Sequence, residues 1–170
     1  MKEDAMKKKE DWFRWVGPGL LVLFLDRMVK WLHLWMTVLP EKVGVDLSFG
    51  FFPGTADKAR QTVQNTGMAF GLFQGNAGMI LIASVLLLTA CFFLLRGMRP
   101  SGLAPIALSM ILGGAVGNMI DRLLYGYVLD MFPFFNWFVF NVADVGVVAG
   151  AILCGWSLLF RPQDWSKKEQ

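Results

Sequence analysis

The chain has 170 residues, enough for one domain, and 55% of them are hydrophobic, including 15 Phe and 7 Trp. Water-soluble domains seldom run this apolar, so composition sets an ordinary soluble fold aside and points to the membrane. The formal net charge is only +3, and the basic residues sit in short flanks with no groove-sized patch, which argues against nucleic-acid binding.

Four apolar stretches, near 15–37, 76–96, 102–125 and 139–160, are each long enough to cross about 30 Å of hydrocarbon. The first follows a basic tail, MKEDAMKKKEDWFR. No small-residue cleavage site follows it, and Asp26 and Lys30 interrupt the run, so it reads as a retained span and not as a signal peptide. Asp26, Lys30 and His33 stand at i, i+4 and i+7 on one helix face, where the acid and the lysine neutralise each other. A buried pair that fixes helix packing and a functional pair both fit, because ionisable groups inside spans are costly and mark function by default. His33 alone reads as an interfacial hydrogen-bonding residue.

In the next segment Val43, Val45, Leu47, Phe49 and Phe51 alternate strictly with Gly44, Asp46, Ser48 and Gly50, a period-2 strand signal. FFPGTADKAR supplies a turn, and QTVQNTGMAF returns as a second strand, giving an outer β segment over 40–72 that lies on the membrane. After the second span, RGMRPSG forms a basic turn. In the third span Gly113 and Gly117 form a G-x-x-x-G pair that permits close helix approach. Gly114, Asn118, Asp121, Arg122 and Tyr125 share a face there, which sends the polar members into the protein interior as a packing network or as a site. MFPFFNWFVF is aromatic, and its Phe residues and Trp137 suit the headgroup region. At the head of the fourth span Asn141 and Asp144 stand at i and i+3, where a carboxylate can cap free N–H groups and gains from the helix dipole. Cys91 and Cys154 lie inside apolar runs without C-x-x-C spacing, so they read as small reduced core residues and no metal site is expected.

Basic residues orient the chain. Lys2, Lys7, Lys8, Lys9 and Arg14, then Arg96 and Arg99, then Arg161, Lys167 and Lys168 all fall on one side of four spans. That side is the cytoplasm, and it holds both termini. Segments 38–75 and 126–138 then face outward, which puts Asp130 and Asp144 near the outer membrane surface.

Two carboxylates converging in a partly dry site cannot both ionise easily, so one pKa rises and the pair shares a proton. That is the chemistry of aspartic proteolysis: the ionised acid takes a proton from water and the protonated one donates to the scissile carbonyl. With one His, no G-x-S-x-G and no H-E-x-x-H, the chain offers little else for catalysis. Spacing alone does not bring Asp130 and Asp144 together. A proton-coupled transporter that uses the intramembrane acids as a relay is the main alternative, although no inverted repeat is visible and the acids gather at one surface. An assembly factor pairing helices through the polar face is a third reading.

Four motifs in order, DRMVK (26–30), NTGMAFGLF (65–73), GGAVGNMIDRLLYGYVLDMF (113–132) and FNVADVG (140–146), resemble the lipoprotein signal peptidases, or type II signal peptidases. The resemblance covers nearly the whole chain. One departure is Arg27, where that family usually has Gln; the outer segment before Asn65 is also somewhat long. The resemblance implies a single peptidase domain over 1–170, an all-α membrane protein of four transmembrane helices with a small extracytoplasmic β-cradle and a short amphipathic helix. It implies a catalytic pair of Asp130 and Asp144. Asn65, Gly67, Asn118, Arg122 and Asn141 are implied to bind substrate or orient the pair, Asp121 to support it, and Asp26 and Lys30 to keep the site intact or in position. No cofactor and no metal are implied. The implied partner is a prolipoprotein carrying diacylglycerol on its lipobox cysteine, cut just before that cysteine by a monomer in a bacterial inner membrane. NTGMAFGLF, with Gly67 and Gly71 around an apolar tip, is expected to form a mobile lid.

Overall fold

The computed structural model describes residues 2–43, 63–65, 76–95, 100–134 and 138–165. In chain order these form α1 (Lys2–Val43), β1 (Val63–Asn65), α2 (Ala77–Leu95), α3 (Ala104–Tyr125), β2 (Val128–Asp130), β3 (Phe132–Phe134), β4 (Phe138–Phe140), α4 (Val142–Phe160) and a closing 3-10 turn (Pro162–Trp165). A helix stands at each of the four apolar stretches. Among the described residues, α3 and α4 are long and apolar enough to cross a membrane by length and composition.

Helix α1 continues past its apolar stretch at both ends and takes in Val43, where the alternating pattern begins. The rest of that expected strand (44–51) and the turn after it lie outside the described residues. The expected returning strand (61–70) lies outside the described residues except for Val63–Asn65, which is present as β1. Its described partner is β2, antiparallel with Val63 opposite Asp130 and Asn65 opposite Val128. The aromatic segment is a second small antiparallel pair, β3 with β4, in the register Phe132 to Phe140 and Phe134 to Phe138. Across the strands the Phe132 and Phe140 rings meet tilted at 5.6 Å and the Phe134 and Phe138 rings stack at 5.2 Å, pairings that favour this ribbon. Pro133 is tolerated because the ribbon is short.

Helix α3 is the hub, packed against α1 and α4 and, less extensively, α2. Its small residues set those distances. A Cβ on Gly113 would fall on the Gly19 carbonyl oxygen of α1, and one on Gly114 would fall on the Ala143 carbonyl oxygen of α4. Positions 113, 117 and 121 therefore form one row toward α1, and 114 and 118 a second toward α4, as the four-residue spacing dictates. The face expected from spacing is thus split: Asp121 belongs to the α1 row and Asn118 to the α4 row. Tyr125, the last residue of the helix, is exposed and stacks on Tyr127 with centroids 6.0 Å apart. Near Pro18, which disrupts the α1 ladder, the Gly19 N–H donates to Ser109 Oγ of α3 at 2.8 Å.

The burial pattern is the reverse of a soluble protein's. The largest fully buried side chains are Asn141, Asp26, Asp121 and Ser157, while Phe24, Trp31, Leu86, Ile152 and Leu159 are exposed. An apolar solvent around the molecule accounts for both halves, since it welcomes outward hydrocarbon and forces polar groups to pair inside.

Candidate active site

The site is built at the junction of α3 and α4. Helix α3 ends at Gly126, whose φ of 78° is left-handed and whose N–H donates to the Arg122 carbonyl at 3.1 Å. Glycine takes that conformation without a Cβ penalty, so the chain turns sharply back. The turn brings the Leu129 N–H to Asp121 Oδ2 at 3.1 Å, which ties β2 to the end of α3. Asp130 closes β2. The next residue, Met131, donates its N–H to the Phe140 carbonyl at 3.1 Å, so the β3–β4 hairpin delivers Asn141 beside Asp130.

Asn141 is the N-cap of α4 and forms a reciprocal capping box. Its Oδ1 accepts the Asp144 N–H at 2.9 Å, and Asp144 Oδ2 accepts the Asn141 N–H at 3.1 Å. The cap expected of Asp144 is real, and it leaves the other carboxylate oxygen for a partner. That oxygen, Oδ1, accepts from Asn118 Nδ2 at 2.8 Å. Asn141 Nδ2 donates to Asn118 Oδ1 at 3.0 Å and to Asp130 Oδ1 at 2.7 Å. Asn65 Nδ2 donates to Asp130 Oδ2 at 2.8 Å, which the register allows because the two are diagonal neighbours across the β1–β2 pair. Two carboxylates are therefore joined through two amides, and every carboxylate oxygen of the pair accepts an N–H.

Asp130 is buried and Asp144 is half-buried. Burial pushes the Asp130 carboxyl up to about 6; the Asn65 donor opposes that, the nearby Asp144 charge adds to it, and Asn141 and the Lys30 charge oppose it again. Arg122 flanks the pair: its Nη1 reaches the Asn118 carbonyl at 3.4 Å, and its charge is felt by Asp130, Asp144 and Asp121.

Beneath the pair lies a second polar group. Lys30 Nζ stands 3.0 Å from Asp26 Oδ2 and 2.6 Å from Asp121 Oδ2. Arg27 joins it, with Nη2 at 2.6 Å from Asp26 Oδ2 and Nη1 at 2.7 Å from Asp121 Oδ1. That last contact is bent off a hydrogen-bonding angle and acts as a charge pair. Sequence reasoning missed the role of Arg27; its place beside Asp26 and one helical turn from Lys30 was the available signal. His33 is half-buried on α1. Gly67 and the rest of the expected lid lie outside the described residues.

Fold and site together define a helical protein with an apolar exterior around a partly buried, amide-linked carboxylate pair. The family model described as signal peptidase (SPase) II matches residues 19–160, so the chain belongs to the signal peptidase II family. The lipoprotein signal peptidase of Halothermothrix orenii is 38% identical over 135 residues, which are 79% of this chain and 87% of that protein. That of Fusobacterium nucleatum is 46% identical over 138 residues, 79% of each. A solved bacterial membrane enzyme shares the fold with a TM-score of 0.63 at 24% identity, covering 90% of this chain and 92% of its own. Membership in a peptidase family sets the transporter and assembly-factor readings aside.

Proposed function

We propose that this chain is an aspartic endopeptidase that removes the signal peptide from diacylglyceryl-modified prolipoproteins, cutting just before the lipidated cysteine at the outer membrane–water interface. The observation that carries the reading is the pairing of Asp130 and Asp144 through Asn141 and Asn118. Such a linkage holds two acids at fixed separation in a partly dry site, where one keeps a proton. Asp144, supported by the start of α4 and two N–H donors, is the ionised member that takes a proton from water. Asp130, whose carboxyl is raised to about 6, is the protonated member that donates to the scissile carbonyl oxygen. As the tetrahedral intermediate collapses, the proton held by Asp144 passes to the leaving amine.

The remaining residues take supporting parts. Asn65 and Asn141 orient Asp130, and Asn118 orients Asp144. Arg122 offers a charge for the substrate backbone, and Asp26, Lys30 and Asp121 hold the floor of the site. The four helices cross a bacterial inner membrane with both termini in the cytoplasm, the chain forms one domain over 1–170, and it works as a monomer without a cofactor. The polar interior and apolar exterior support that placement, as does the siting of basic residues in the flanks.

The test is direct. Purified Asp130→Asn and Asp144→Asn variants, incubated with lipidated prolipoprotein, should each bind the substrate and leave it uncut. Cleavage at the wild-type rate by either variant overturns the assignment.

A further inference from the structure

We propose that Arg27 is a positioning residue that sets the separation of Asp130 and Asp144, acting through Asp26 and Asp121. The inference rests on the reading of those two acids as the reacting pair. The residue just before each of them is held by a buried carboxylate. Asp121 Oδ2 accepts the Leu129 N–H at 3.1 Å, one residue ahead of Asp130. Asp26 Oδ1 accepts the Ala143 N–H at 3.0 Å, one residue ahead of Asp144. The Ala143 N–H is among the first-turn donors of α4 that have no intrahelical partner, so Asp26 holds a group that would otherwise be orphaned.

Asp26 and Asp121 lie on different helices, and cations bridge them. Lys30 does so from Nζ, and Arg27 does so with its planar fork, Nη2 and Nε on Asp26 (2.6 and 3.1 Å) and Nη1 near Asp121 (2.7 Å). Arg27 Nη2 also donates to the Gly117 carbonyl at 3.1 Å, which anchors the fork to α3 midway between the acids. A planar fork with its donors fixed on Asp26 and Gly117 keeps its remaining charged nitrogen at a set place beside Asp121, whereas a flexible ammonium does not. Charge balance points the same way. Two acids against Lys30 alone would leave one uncompensated negative charge among fully buried carboxylates; with Arg27 the group is neutral.

The experiment replaces Arg27 by Met and by Lys in the full-length protein in detergent. It reads kcat and KM separately, together with hydrogen exchange at the Leu129 and Ala143 amides. The expected result for Arg27→Met is a fall in kcat of roughly tenfold to a hundredfold, the scale of misplacing reacting groups by about 1 Å, with KM nearly unchanged. Exchange at both amides should be faster, and Arg27→Lys should recover part of each effect. Should Arg27→Met fail to fold, Arg27→Gln carries the same readouts. Unchanged exchange at both amides overturns the proposal, as does a kcat that Arg27→Met leaves at the wild-type value. The exchange arm needs no turnover, so it decides the clamp even if Asp130→Asn shows the pair to be misassigned.

Discussion

Replacing Asp130 by Asn removes a titrating group from a buried site at almost constant size, and its effect on stability should depend on pH in a calculable way. The folded carboxyl holds its proton up to about 6, against an ordinary value of 3.8 that applies when the chain is unfolded. Between those values the folded state binds more protons than the unfolded state. The stabilisation from Asp130 is therefore fully present below pH 3.8 and is lost as pH rises through 6. At about 1.36 kcal/mol for each pH unit separating the two values, the whole contribution is roughly 3 kcal/mol, of which a little under half disappears between pH 5 and pH 8. The substituted asparagine cannot titrate. Both Asp130 oxygens accept amide N–H groups, so the new amide must turn a donor toward Asn65 or Asn141. That mismatch costs about 1–3 kcal/mol at any pH and cancels when the two pH values are compared. Unfolding of wild type and Asp130→Asn in the same detergent at pH 5 and pH 8 measures the difference. Wild type should lose on the order of 1 kcal/mol relative to the variant over that interval. Parallel pH dependence in the two proteins, or a change of opposite sign, refutes the picture of a buried acid kept neutral by its surroundings.

Other outcomes follow from the same geometry. In the proposed mechanism Asp130 must be protonated, so kcat/KM should fall as pH rises above the Asp130 value; Asn65→Leu removes a donor that favours the charged form and should move that limb to higher pH in a pH–rate profile. Gly114→Ala puts a methyl on the Ala143 carbonyl oxygen and 2.8 Å from Val147 Cγ2. It should cost about 1–3 kcal/mol and reduce cleavage by parting Asn118 from Asp144, as unfolding and turnover assays can check. Gly126→Ala meets no atom within 4 Å and strains only a left-handed backbone, so about 1–2 kcal/mol of stability is the expected loss. At the far end of the helices, Asp164 Oδ2 accepts the Leu103 N–H at 3.0 Å and the Ser157 hydroxyl at 3.2 Å, all three groups lying away from the reacting acids. Asp164→Ala should lower stability by about 2–4 kcal/mol by leaving two donors unmet, while kcat at a permissive temperature stays near wild type.

Much of this molecule is legible from residue order because the relevant forces are local. Apolar runs of span length locate the four helices, and composition foretells the reversed burial. The i, i+4 pair of Asp26 and Lys30 is in contact, the Asn141–Asp144 cap is formed, and Gly113 and Gly117 face a neighbouring helix. Each of these rests on neighbours within one helical turn, where spacing dictates direction. Contacts between distant segments carry no such signature. Nothing in VQN says that it pairs with VLD 65 residues away and so turns Asn65 onto Asp130. The aromatic run FPFFNWFVF reads as interfacial side chains, yet its hairpin register is what delivers Asn141 to Asp130. Spacing along α3 puts Asn118 and Asp121 on one broad face, but two partner helices divide that face into separate rows. Arg27 is invisible as a bridge because its second carboxylate lies on another helix. Residue order, then, dictates which acids exist and which helix ends they occupy. Their convergence depends on close helix packing and on strand pairing, which many distant residues set together.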